Sequence, residues 1–539
     1  MGKQKTRERS QGRKPERAMI LRLFQPNSAS FGYGLFLALN ATSVWGGGFP
    51  LLPMEFQTFS LLTRFFLVQS TAFGVALLIC LLGAWYYPRL TQRMPILGCV
   101  ALLFLGSLSL IAPLYLPEYM SPLVTVGGLF LGVGSALFFV LWQRVFAAQD
   151  ADEGKLNLII GTGYSALLYT ILHVIPLAVA AFMIAFIFIP LVGLCLILAT
   201  RQIDYRQPMF EDVPRLNAPV YRQTVRNQWR SALCVGCFGF MSGIARALAL
   251  VDPSMGTIVN FVSMAGALIS ALVLIFLWTR YTFTFNTVLS FRTIFPLIVT
   301  SFLILPFLTG FGLRLFAGLM YMFFIFASMI MMIQCAQTSR DYGISPFFIY
   351  SFFGMISFML QSLGFLIGNL SAPAIEPGFA ELSIIALFSV WFLAMTLYLV
   401  RGHLRGSAVA ELDYSRAGGV EFLALEQAPA AALSELDFAE HVASPEVTGP
   451  EAAHNDRHFR DRVSKLCLLL AKQYRLTARE TEVMELLARG NSVAHIAKTL
   501  IVSENTIRTH SKRLYVKLNI HKRQDLLVRL DEIDETMRH

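Results

Sequence analysis

The sequence predicts an all-α protein: a polytopic membrane helix bundle followed by a small four-helix domain at the C-terminus. Three observations predict it. Hydrophobic residues make up 55% of the 539 positions and charged ones only 14%, a balance beyond that of an ordinary soluble domain. The charges concentrate in the first thirty residues, one central stretch and the last 140 or so, so the apolar interior reads as membrane. A helical period of apolar positions then returns after residue 457.

Residues 1–30 carry Lys3, Lys5, Arg7, Arg9, Arg13, Lys14, Arg17 and Arg22 ahead of the first apolar run. That segment is too polar and too long for a cleaved secretory leader and reads as a basic cytoplasmic tail. Residues 31–401 form the membrane domain. A hydrocarbon core of roughly 30 Å needs about 20 apolar residues per crossing, which gives twelve candidate spans: 31–53, 58–84, 95–116, 122–144, 156–175, 177–199, 231–251, 256–278, 287–308, 311–335, 345–370 and 382–400. The fifth and sixth run together around Pro176 with no polar break.

Lys and Arg collect on the cytoplasmic side of membrane helices. Here Arg89, Arg93, Arg144, Lys155, the Arg201–Arg230 stretch, Arg280, Arg340, Arg401 and Arg405 fall on alternate loops. The loops between them, at Pro117–Ser121, Asp252–Met255 and Ser371–Glu381, have no Lys or Arg. Both termini are therefore expected in the cytoplasm, and the chain in a bacterial cytoplasmic (inner) membrane.

Six spans, a central basic stretch and six more spans resemble the layout of the major facilitator superfamily of transporters. The family's motif after the second span, Gly and Asp followed by Arg and Gly, is not matched by Gly83-Ala-Trp-Tyr-Tyr-Pro-Arg89-Leu-Thr-Gln-Arg93. The resemblance thus implies the fold, and the departure speaks against transport.

Ionisable groups inside spans are costly, so they are functional candidates. The sequence offers Arg64, His173, Arg246 and Arg314. The three arginines fall in the outer half of their spans, where they would converge on a small anionic ligand or snorkel to the headgroups. Glu55, Glu118, Asp252, Glu376 and Glu381 sit at span ends, so no midplane carboxylate is available as a proton relay. That pattern suits a sensor better than a proton-coupled carrier. The glycines of Trp45-Gly-Gly-Gly-Phe-Pro50 would loosen the first span, and Gly128 with Gly132 offers a close-packing face.

The seven cysteines show no disulfide framework, and all but Cys467 lie in apolar segments where a thiol behaves as a small hydrophobe. Cys234 and Cys237 form a CxxC without a second ligand pair, so no metal or cofactor is expected. Neither is a catalytic residue or an enzymatic activity.

Residues 402–470 shift to Ala, Pro, Ser and dispersed acids from Glu411 to Glu451 and read as a flexible acidic linker with a reach of about 40 to 50 Å. Within it, Val463, Leu466, Leu469 and Leu470 give a lead-in helix that would pack on the terminal domain or on a partner.

Residues 471–539 form the last domain. Thr477-Ala-Arg-Glu480 is a capping box, after which Val483, Met484, Leu486 and Leu487 line one helix face until Gly490. Ser492 opens a short helix with Ile496, Ala497 and Leu500, and Ser503 opens a third, Glu504–Leu518. Two helices across a tight turn are the helix-turn-helix plan, whose second helix enters the major groove. On that third helix Ile507, Leu514 and Leu518 face inward, while Arg508, Thr509, Lys512, Arg513 and Lys517 face out.

The run Leu476-Thr-Ala-Arg-Glu480 through Ala-Arg-Gly490, then Ile496-Ala497, Leu500, Val502-Ser503, Thr506-Ile507-Arg508-Thr509-His510 and Leu514-Tyr515-Val-Lys517-Leu518-Asn519, closely resembles the LuxR-type domain. The resemblance covers about sixty residues without a gap. It implies that Arg508, Thr509 and Lys512 reach base edges or adjacent phosphates of double-stranded DNA, with Thr506, Arg513 and Lys517 on the backbone. It also implies that the last helix, Lys522–Glu535, pairs two subunits in a homodimer; completing the domain core is the other reading for Leu526 and Leu530. His495 and Ser511 depart from the family pattern.

The expected function is a membrane-anchored one-component transcriptional regulator that senses a ligand through its transmembrane domain. A secondary transporter with a fused gene-regulatory domain is the alternative, and a ligand-independent membrane anchor is a third reading.

Overall fold

A computed structural model describes residues 26–43, 56, 58–249 except 206 and 216, 253–281, 283–285, 287–371, 378–401, 420–422, 462–474, 476–491, 493–500, 504–520, 523 and 525–530. The basic tail and most of the acidic linker lie outside the described residues, as do the triple glycine of the first span, Ser492, Ser503 and the end of the expected Lys522–Glu535 helix.

Among the described residues, twelve helices of more than fifteen residues make the membrane part. In order they are α1 Ser28–Ser43, α2 Phe59–Tyr86, α3 Ile96–Ile111, α4 Met120–Ala148, α5 Ala151–Val174, and α6, which starts as Leu177–Met183, passes through a π turn at Ile184–Phe188 and continues as Ile189–Arg201. After a loop come α7 Ala218–Ala249, α8 Pro253–Arg280, α9 Thr287–Ile304, α10 Phe311–Tyr342, α11 Pro346–Ser371 and α12 Phe379–Arg401. Eleven of them, α2 to α12, are long and apolar enough to cross a membrane; α1 is the described part of the first expected span. The protein is a multi-pass membrane protein.

Local chemistry explains the breaks. The Thr58 hydroxyl accepts from the Leu61 amide and starts α2. Ile175 and Pro176 separate α5 from α6, because a residue before proline leaves the helical region. Gly343, at φ 63°, closes α10 in the left-handed conformation that a side chain would resist.

Two six-helix halves repeat one packing plan. In the first, α1 packs on α5, α2 on α4 and α3 on α6; in the second, α7 packs on α11, α8 on α10 and α9 on α12. The halves meet through α2 with α11 and α5 with α8, contacts that exchange when six is added to each helix number. Close approach relies on glycine. Gly132 of α4 lies against the Gln69 carbonyl of α2, and Gly364 of α11 against the Phe240 carbonyl of α7, with no room for a methyl group. The sequence face of Gly128 and Gly132 is therefore a packing face.

Large apolar side chains cover the bundle's exterior, among them Ile79, Leu97, Leu167 and Leu387, as a lipid-facing surface requires. All seven cysteines are buried and outside any disulfide, Cys467 included.

The chain is not wholly helical. Phe283–Phe285 (β1) pairs antiparallel with Val420–Phe422 (β2), with Thr284 opposite Glu421. Three residues of the expected flexible linker are thus fixed to the loop between α8 and α9.

The C-terminal domain has a core of its own. α13 (Arg462–Gln473), α14 (Ala478–Ala488), α15 (Val493–Thr499) and α16 (Glu504–Leu518) close around Leu466, Leu470, Val483, Met484, Ile496, Ile507, Leu514, Leu518 and Leu526. The lead-in helix α13 packs on this domain through Leu466 and Leu470, while Leu469 is exposed.

Candidate nucleic-acid interface and membrane arginines

The DNA-binding geometry begins at Thr477. Its hydroxyl accepts from the Glu480 amide at 3.3 Å, and the Glu480 carboxylate accepts from the Thr477 amide at 2.8 Å, so the expected capping box is formed in both directions. Gly490, at φ 99°, turns the chain after α14. α16 then crosses the domain with one face sealed: Ile507, Leu514 and Leu518 have no exposed surface.

The opposite face is open. Arg508, Thr509, Lys512 and Arg513 are exposed, and Thr506 is half-buried near the start of the helix. Arg508 makes an i, i+4 pair with Glu504 at 3.2 Å, a surface contact that water and salt weaken and a phosphate can replace.

Lys517 sits differently. Its ammonium donates to the Glu480 carboxylate at 2.6 Å, so it braces the cap of α14 from two helices away. Burial opposes the Glu480 charge, but the bonds from Lys517 and from the Thr477 amide and hydroxyl outweigh it and hold the carboxyl below its ordinary range. His495 is half-buried on α15, and Ser511 is buried on α16. In the last segment Leu526 and Leu530 enter the core, while Leu527 and Val528 are exposed.

The three membrane arginines occupy separate surroundings. Arg64 is exposed and donates to the Ser121 hydroxyl at the start of α4. Arg246 is buried in α7 with its guanidinium 4.0 Å from the centre of the Phe66 ring on α2, a cation–π contact between the two halves. Arg314 is half-buried in the first turns of α10. His173, exposed near the end of α5, packs edge-on against Phe261 at 4.7 Å.

None of these four lines the cavity where the halves meet. That cavity has about 30 Å³ of free space, bounded by Tyr33, Thr162, Ser165, Ser328, Met332 and Tyr350 among others. Methionines and rings dominate its wall, and hydroxyls supply the polar edges; the space takes a water or two, and the lining offers no charge to an anion. Composition alone does not reveal it, since its residues come from distant helices and carry no charge.

At the arginine-rich end the halves are latched. Arg340, in the last turn of α10, donates to the Phe146 carbonyl of α4 at 2.9 Å and also reaches the carbonyls of Ala147 and Gln149 at 3.5 Å. Gln143 of α4 donates to the Met332 carbonyl at 3.1 Å. Sequence reasoning counts Arg340 only as a loop charge, because the apolar run ends before α10 does.

The C-terminal domain meets the same end. The Arg489 guanidinium donates to the Arg340 carbonyl at 2.5 Å and to the Glu485 carboxylate at 2.6 Å. An arginine at the end of a helix ordinarily reads as a favourable charge at the helix dipole, so nothing in the sequence marks Arg489 as a contact to the membrane part.

Among the described residues no group of three His, Cys, Asp or Glu stands close enough to hold a metal.

Residues 474–530 match the family model of bacterial regulatory proteins of the luxR family. The spore germination protein GerE of Bacillus subtilis is 38% identical over 60 residues, 11% of this chain and 81% of that protein. The chain is also similar in structure to the Escherichia coli fucose:proton symporter FucP, with a TM-score of 0.48 and 13% identity over 69% of this chain and 97% of that one. A bacterial homologue of the iron transporter ferroportin gives a TM-score of 0.48 and 11% identity over 70% of this chain and 98% of that one.

Proposed function

The chain belongs, through residues 474–530, to the luxR family of bacterial regulatory proteins, and from that premise we propose that it is a one-component transcriptional regulator. It is held in the bacterial cytoplasmic membrane with both termini inside. The helical bundle senses a small ligand, and the C-terminal domain reads double-stranded DNA. The observation that carries the reading is the division of α16, sealed on its Ile507, Leu514 and Leu518 face and open on its Arg508, Thr509, Lys512 and Arg513 face. Such a helix fits the major groove, with Arg and Lys on guanine or phosphate and Thr on a base edge or methyl. Thr506 stands where it meets the backbone.

The exposed Leu527 and Val528 favour a homodimer on a two-fold symmetric site. For the ligand, the uncharged cavity lining supports an apolar molecule, and the halves must part to admit it because about 30 Å³ holds little more than water. An anionic ligand at Arg64, Arg246 and Arg314 draws less support, because Arg64 engages a hydroxyl and Arg246 a ring on separate helices. A ligand acts here only by binding one arrangement of the halves better than another.

The two repeated halves with a cavity between them also favour a second reading, a transporter that regulates genes. Mapping the chromosomal sites bound by the full chain names neighbouring genes and hence ligands to try. A regulator changes its occupancy of those sites when the ligand is added, and proteoliposomes containing it bind the compound without accumulating it over time. Time-dependent uptake would replace the sensor reading with the transporter one.

A further inference from the structure

The turn between α14 and α15 does not face solvent. Arg489 is 4% exposed and Asn491 5% exposed, although both stand where a helix-turn-helix domain usually meets water. The Arg489 guanidinium satisfies the Arg340 carbonyl, one of the terminal carbonyls that α10 cannot bond within itself, and places a cation at the negative end of that helix. A methyl group built on Gly490 would lie 3.4 Å from Val220 Cγ2, in the first turn of α7.

A buried polar hub supports the seat. The Tyr221 hydroxyl donates to Asp212 at 2.5 Å and accepts from the Ser345 amide at 2.9 Å, and the Asn217 amide donates to the same carboxylate. Burial holds the Asp212 carboxyl above its ordinary range, against the lowering pull of Tyr221, Asn217 and His495 of α15. The loop between the halves, the start of α7, the α10–α11 turn and the DNA-binding domain thus share one cluster.

We infer that the latched, arginine-rich mouth of the membrane domain is a docking surface for the α14–α15 turn of the DNA-binding domain, and that docking and DNA binding exclude each other. The inference deepens the proposed function by naming how the DNA-reading site is controlled. The first helix of a helix-turn-helix pair crosses the phosphate backbone, and the amides at its start are natural phosphate ligands. In the docked arrangement the turn that leads into α15 is occupied, with Arg489 on the Arg340 carbonyl and Gly490 against Val220. α16 keeps its open face, but a duplex cannot lie along both helices.

The latch and the seat are one residue. The Arg340 side chain joins the halves through Phe146, and the Arg340 carbonyl receives Arg489. A ligand that parts the halves at this end displaces the last turn of α10 and so removes the acceptor. Release then follows from the same movement that opens the bundle.

The full chain in lipid nanodiscs, carrying the photo-crosslinker p-benzoylphenylalanine at Val220, tests the contact. Irradiation is expected to give adducts within residues 487–495, and saturation with a mixed-sequence 40-base-pair duplex at low salt is expected to abolish them. Adducts elsewhere, or adducts indifferent to DNA, overturn the inference. In parallel, Val220→Arg places a cation against the docked turn without touching the DNA-binding domain. It is expected to tighten binding of the same labelled duplex by about tenfold, the scale of losing one hydrogen bond to a charged group; unchanged or weaker binding overturns the exclusion. A chain that crosslinks at 487–495 but binds no duplex with either residue at 220 removes the DNA-reading function, whereas a missing crosslink removes the docking alone.

Discussion

Arg508 and Lys512 stand on the open face of α16 with little to hold them except water and, for Arg508, a weak pair with Glu504. Replacing both by alanine should lower DNA affinity, cost about 1 to 3 kcal/mol of discrimination at a contacted base pair, and reduce the salt dependence of binding. Fluorescence anisotropy across a salt titration reads both effects; an unchanged affinity and slope would remove these residues from the interface. Lys517 shares their chemistry but has another task, because Glu480 occupies it at 2.6 Å. The sequence reveals the outward face of a helix from its period. It does not reveal that one outward lysine meets a carboxylate 37 positions away, since that pairing depends on how α14 and α16 cross. Arg489 was illegible for the same reason.

Helix α14 depends on its first turn. Thr477 and Glu480 satisfy each other's amides, and loss of such a cap costs about 1 kcal/mol. The Glu480 carboxyl is held below its ordinary range, so its contribution is complete above an unfolded value of about 4.3 and disappears as pH falls through the lower folded value. Glu480→Gln should therefore reduce the hydrogen-exchange protection of the α14 amides at neutral pH, after correction for intrinsic rates. The gap from the unaltered protein should close as the medium becomes more acidic than about pH 4. A gap that persists in acid would show that the carboxylate charge is not its source. This capping box was readable from four residues, because its chemistry is local. The β1–β2 ribbon was not, since neither three-residue strand has a pattern of its own and each exists only through the other.

Six helices, a polar interlude and six more are visible in hydropathy and in the alternation of basic loops, and eleven of the twelve expected spans correspond to described helices of sufficient length. The exchange symmetry between the halves is not visible, because it lies in which helices touch. Neither is the latch. Arg340 makes three carbonyl contacts across the junction, so Arg340→Ala should loosen the arginine-rich end. Cys335, fully buried one and a half turns earlier in α10, then becomes a reporter: its maleimide labelling should accelerate several-fold in the variant, followed by mass spectrometry to separate it from the other thiols. Equal labelling rates would mean that the remaining contacts hold the mouth shut without Arg340.

The pairing of Phe283–Phe285 with Val420–Phe422 moves the point at which the DNA-binding domain is leashed. The tether is therefore counted from Phe422 instead of from Arg401, and a chain of the length of residues 423–461 spans at most about 140 Å. On the proposed reading, a released domain patrols a shell beneath the bilayer and stays out of the middle of the cell. The same reading requires that genes under its control be carried to the periphery to be read, so where a locus lies along the folded chromosome becomes part of what decides whether it responds.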